Sequence, residues 1–127
     1  MKYFIDSNVF VYAKLNDKKY GKCCTEIIRK IYENKIDAII DPVILLEVAN
    51  ALRKLGVKDV EEEILAILSL PIAVVNLGQE DIMDAINNRD LSPYDSLHYV
   101  ISKKCNAKII SADKDFKDRI DPCELQG

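Results

Sequence analysis

Short apolar runs alternate with segments carrying helix start signals, and this alternation constrains the fold more than anything else in the chain. KYFID at residues 2–6, DAII at 37–40, IAVVN at 72–76 and AKIIS at 107–111 read as strands. A helix is expected over residues 22–34, where Ile27, Ile28 and Ile31 share one face. Asp41-Pro42 is a start signal, a capping side chain followed by proline at the first helical position. That helix is expected to run to Leu55 and stop at Gly56. Another begins near Asp59 and carries Ile64, Leu65, Ile67 and Leu68 as far as Pro71. Residues 79–88 are expected to be helical, and Ser92-Pro93 opens a last helix that ends near Asn106. A helical turn is expected at residues 115–118, and CEL at 123–125 is a candidate fifth strand. The implied class is α/β, with a mostly parallel sheet of four or five strands covered on both faces.

The 127 residues suit one domain spanning 1–127. At that size folding buries roughly two-thirds of the surface of the open chain, enough for a core without staples. The net charge of −3 argues against a nucleic-acid coat held by bulk positive charge. It is compatible with an enzyme that grips a few phosphates around its own divalent metal. Cys23, Cys24, Cys105 and Cys123 form no C-x-x-C, and the adjacent pair cannot easily bond to each other. With one histidine in the chain, a zinc framework is poorly supplied. Four reduced, packing cysteines in a cytoplasmic protein are expected. No secretory signal is visible, and no apolar run approaches the roughly 20 residues of a membrane span.

Four acids sit where an apolar pattern does not call for them. Asp6 directly follows Tyr3-Phe4-Ile5, although Asp is a poor strand former and rarely sits buried unpaired. Asp113 lies just past AKIIS. Ligands of open parallel sheets bind beyond the carboxyl ends of strands, so these two acids face one crevice if their strands are neighbours. Each taken singly also reads as a turn or cap residue. Glu47 is the lone charge in VILLEVANAL, either a narrow solvated face or a functional carboxylate. Asp95 follows Ser92 by three residues and reads as the acid of a capping box; a first-turn carboxylate is also well placed as a metal ligand. His98 reads as a packed or rim residue of the same helix and is not counted as catalytic.

If the four acids converge, repulsion between two bare carboxylates about 5 Å apart is roughly 3 kcal/mol at an effective dielectric of 20. Such a group protonates, spreads or recruits a cation. Oxygen-only ligands select a hard ion, Mg²⁺ or Mn²⁺, which suits phosphodiester hydrolysis by an activated water. Ser7 and Ser111 lie in no G-x-S-x-G and are read as hydrogen-bonding supports for the acids. Asn8 is placed to hold Asp6 in a ligating rotamer.

Asp6-Ser7-Asn8 after an apolar strand resembles the D-[ST]-N opening of PIN-domain nucleases. Glu47 in LLEVANAL resembles the family's helical glutamate. SPYDSLHYVISKKCNAKIISADKDF, residues 92–116, resembles its most recognisable stretch, an Asp opening a helix, then a strand, then [ST]-x-D. The resemblance implies a three-layer α/β/α sandwich and a Mg²⁺- or Mn²⁺-dependent ribonuclease cutting single-stranded RNA. It carries over Asp6, Glu47, Asp95 and Asp113, and leaves open whether Asp115 binds metal. Stand-alone domains of this size are similar to VapC toxins, which implies a homodimer and a small antitoxin partner. Lys14, Lys18, Lys19, Lys22, Arg53 and Lys54 are candidates for holding RNA phosphates, or simply a solvated charged surface.

Two other classes compete. A phosphorelay receiver would want paired acids after the first strand, an Asp after a middle strand and a Lys after the last. Here YFIDSN supplies one acid, IAVVN ends in Asn76 and no Lys follows CEL. A PIN-like module that binds RNA or a partner without turnover stays open.

Overall fold

The computed structural model describes residues 1–125. Strand β1 (Lys2–Ile5) is followed at once by helix α1 (Ser7–Leu15). Asp6 starts that helix: its backbone is extended and its side chain accepts the Ser7 N–H. Asn16 ends it in the left-handed region, with φ 50° and ψ 52°. The helix is missing from the sequence expectation. Val9, Phe10 and Val11 are buried consecutively, so no 3.6-residue stripe marks it, and Val, Phe and Tyr favour strands. Helix α2 (Gly21–Tyr32) follows. A Cβ on Gly21 would stand 2.7 Å from the Asn16 backbone, so the close approach of the two helices requires glycine there.

The remaining order is β2 (Asp37–Ile40), α3 (Pro42–Lys54), α4 (Val60–Leu68), β3 (Ile72–Val74), α5 (Gln79–Asn87), α6 (Pro93–Lys104) and β4 (Ala107–Ile110). Asp41 and Ser92 cap α3 and α6, each with proline in the first turn. Among the described residues the sheet has four parallel strands in the order β3-β2-β1-β4. Phe4 pairs in register with Ile39 on one side and Ile109 on the other. The chain steps outward from β1 to β3, then crosses back to place β4 on the far side of β1. Right-handed crossovers therefore set α1–α4 on one face and α5 and α6 on the other, a three-layer α/β/α sandwich. Consistently, α1 packs on α2 and α3, α3 on α4, and α6 on α5, β4 and β1.

Residues 122–124 form a turn instead of the candidate fifth strand, and Ile120 supplies only an isolated parallel bridge to Ile110. Residues 114–118 form turns, not a helical segment. The cysteine expectation is also corrected. Cys23 on α2 and Cys123 form a disulfide with a Cα–Cα distance of 5.0 Å, leaving Cys24 and Cys105 free. Among the described residues no helix is long and apolar enough to cross a membrane.

Candidate active site

The reversal of strand order lies between β1 and β4, which makes the crevice beyond their carboxyl ends the expected ligand site. Asp6 occupies the β1 side and is buried. Its Oδ1 accepts the Ser7 backbone N–H at 2.8 Å. Its Oδ2 accepts the Ser111 hydroxyl at 2.6 Å and the Asn8 amide at 3.3 Å. Ser7 thus acts through its backbone, whereas Asn8 and Ser111 act through their side chains.

Ser111 is the first residue past β4 and is fully buried. Its oxygen also accepts the Asp113 N–H at 2.9 Å and the Asn8 amide at 3.2 Å. Asn8 in turn accepts the Ala112 N–H at 3.2 Å, so α1 and the loop after β4 are laced together. Asp113 Oδ1 accepts the Asp115 N–H at 2.9 Å, which folds the loop back on itself.

Asp95 comes from the first turn of α6, where its N–H is bonded to the Ser92 hydroxyl at 3.2 Å. Ligating oxygens of Asp95, Asp113 and Asp115 lie within 4.8 Å of one another. Glu47 projects from the second turn of α3, about one-quarter exposed. Atoms of Asp6, Glu47 and His98 also lie within 4.8 Å of one another. His98 nevertheless cannot ligate. Its Nδ1 stands 2.7 Å from Asp41 Oδ2 and its Nε2 2.8 Å from Glu47 Oε1, so both ring nitrogens are already engaged.

The two groups of acids share one field. Burial, then the charges of Asp6 and Asp113, push the Asp95 carboxyl above its ordinary range, with Glu47 adding to the rise. Burial likewise pushes Asp6 up, against the Ser111 hydrogen bond and the positive charge of His98. Burial pulls His98 down, but hydrogen bonds and charge from Asp41 and Glu47 outweigh it and push the ring up to about 10. Asp6 and Asp95, both pushed up by burial, sit beside further carboxyls whose free ligand atoms are all oxygen, a donor set that fits a hard divalent cation. Asp6, Glu47, Asp95, Asp113 and Asp115 are the residues that could hold it.

Residues 3–120 match the PIN-domain family profile. The chain belongs to the PIN-domain family. Comparison with curated protein sequences gives no match. Among solved structures, this PIN domain is similar to the sarcin–ricin-loop-cleaving toxin VapC20 of Mycobacterium tuberculosis. The TM-score is 0.75 at 14% identity, covering 90% of this chain and 92% of the other. VapBC2 of Rickettsia felis, bound to a promoter DNA fragment, gives 0.68 at 17% identity and 92% of both chains. A toxin–antitoxin complex from Klebsiella pneumoniae gives 0.69 at 14% identity, over 97% of this chain and 99% of that one.

The PIN domain brings all the sequence-selected acids to one end of its sheet. The sequence pattern does not single out Asp41 or His98 as site residues. Asp41 reads as a helix cap, and it fills that role by accepting the Ile44 N–H at 3.1 Å. His98, expected to be packed or at the rim, is fully buried and bonded at both nitrogens. Of the basic residues, Lys14 is committed to Asp59 at 3.1 Å and Glu63 at 2.8 Å. Lys18, Lys19, Lys22, Arg53 and Lys54 are exposed.

Proposed function

We infer that this PIN domain is a divalent-metal-dependent endoribonuclease acting on single-stranded RNA, the toxin of a toxin–antitoxin pair. The observation that carries this reading is the gathering of Asp6, Glu47, Asp95 and Asp113 where strand order reverses. A bound Mg²⁺ or Mn²⁺ supplies water activation and offsets phosphate charge at such a site. The chain's own part is to keep the acids in place. Asn8 and Ser111 hold the Asp6 carboxylate, and the Asp113–Asp115 turn shapes the opposite wall. No side-chain nucleophile is required, and Ser7 and Ser111 serve as supports only.

Partners follow by likeness to toxin–antitoxin structures. A cavity of about 290 Å³ among α1–α4, lined by Phe10, Ile28, Val48, Leu52 and Ile67, offers an apolar seat for an antitoxin segment. Exposed Ile82, Met83 and Ile86 on α5 offer a face for a second copy, and light scattering on the purified chain tests the homodimer.

The deciding assay incubates single-stranded RNA with the protein and Mg²⁺ or Mn²⁺, beside Asp6→Asn and Asp95→Asn. Metal-dependent cutting that both variants lose while folded supports the nuclease. Equal cutting by the variants removes it.

A further inference from the structure

His98 and Asp41 have no role in the chemistry above, yet they make short, buried contacts beside it. The imidazole is fully buried, with the Phe4 ring packed 5.3 Å from its centre. Carboxylate oxygens stand 2.7 Å from Nδ1 and 2.8 Å from Nε2. A neutral ring has one N–H and one lone pair, so one of these contacts would set a lone pair against an anion. Both nitrogens therefore donate, and the ring is a cation. Asp41 cannot drift, because its other oxygen accepts the Ile44 N–H in the first turn of α3. A rigid line thus runs from the α3 backbone through Asp41 and the α6 ring to Glu47, six residues further along α3.

We propose that His98 is a positioning residue: it pins Glu47 Oε1, so that the other carboxylate oxygen is the one presented to a divalent cation. The proposal rests on the reading that the acids hold such an ion. A free glutamate side chain turns about three bonds, whereas a pinned one meets the cation ready-oriented. A solely architectural role, tying α6 to α3, would leave ion binding untouched apart from general loosening.

Titration calorimetry with Mn²⁺ alone, at fixed pH, separates these roles. The proteins are the wild type, His98→Gln, Glu47→Gln and the double variant, each checked for folding by circular dichroism. His98→Gln is expected to weaken Mn²⁺ binding roughly 10–100-fold. The double variant should bind no more weakly than Glu47→Gln, because the histidine acts only through the glutamate. A loss of the same size in both backgrounds, or no loss, overturns the proposal while leaving the metal reading intact. Failure of the wild type to bind Mn²⁺ overturns both. Should His98→Gln not fold, ring-¹⁵N-labelled wild type answers by NMR. Added Mg²⁺ should shift the Nε2–H signal of His98 more than its Nδ1–H, and an unmoved Nε2–H overturns the proposal.

Discussion

The Ser111 hydroxyl donates to Asp6 Oδ2 at 2.6 Å across 105 residues of sequence. This bond spans the gap between β1 and β4, the two strands that flank the crevice. The same oxygen accepts the Asp113 N–H, so one buried hydroxyl fixes acids on both sides. Ser111→Ala would leave a buried carboxylate oxygen and a backbone N–H short of partners. The expected cost is about 1–3 kcal/mol, read as a lower urea midpoint. Ser111→Thr keeps the hydroxyl and should recover most of the loss; a threonine variant as unstable as the alanine one would show that shape, not the hydrogen bond, matters there.

Asp95 should display the opposite balance between stability and use. Burial and the charges of Asp6 and Asp113 disfavour its ionised form. Asp95→Asn removes that charge at nearly constant shape, so without metal it is expected to stabilise the fold by roughly 0.5–2 kcal/mol. Added Mg²⁺ should raise the melting temperature of the wild type, by linkage to a bound ligand, and raise that of the variant much less. Thermal melts with and without Mg²⁺ give both readings. A metal-free variant that melts below the wild type would mean that Asp95 is a structural acid.

Much of this fold is legible because its signals are local. Asp41-Pro42 and Ser92-Pro93 mark helix starts within a few residues, and the strand runs are apolar and short. The acids are legible for a related reason, since each interrupts or ends an apolar element where solvent alone does not explain it. Helix α1 is hidden because Val9, Phe10 and Val11 are buried in succession, against α2 and α3, whose positions no local pattern reveals. The Asp41–His98–Glu47 bridge is hidden more deeply. Asp41 is fully explained as a cap, and nothing in sequence shows that α6 brings a ring between it and Glu47.

That bridge gives stability a pH dependence. The His98 proton is released near 6.5 in an open chain and at about 10 in the fold. Between those values the folded state holds more protons than the unfolded one, so rising pH favours unfolding. The stabilisation is complete below pH 6.5 and fades as pH climbs through 10. Urea midpoints measured across this interval should fall for the wild type. The curve for His98→Gln should lie lower at neutral pH and run flatter. Parallel curves would mean that the ring is not the cation described.

The Cys23–Cys123 disulfide closes 100 residues of chain and secures the segment that carries Arg119 and Asp121. Arg119 donates to the Ser111 carbonyl at 3.0 Å and to Asp121 at 3.2 Å, and Asp121 accepts the Tyr20 hydroxyl at 3.3 Å, just before α2. The cross-link is therefore coupled mechanically to the loop that holds Asp113. Closing a loop of this length removes denatured-state entropy equivalent to about 4–5 kcal/mol, and measured effects of native disulfides run from about 2 to 5. Cys23→Ser is expected to lose a comparable amount. Burial pushes the neighbouring Cys24 thiol up to about 12, so it should stay unreactive in the native state. Thiol titration in denaturant should count two free cysteines before reduction and four after it; four before reduction would show that Cys23 and Cys123 are not joined.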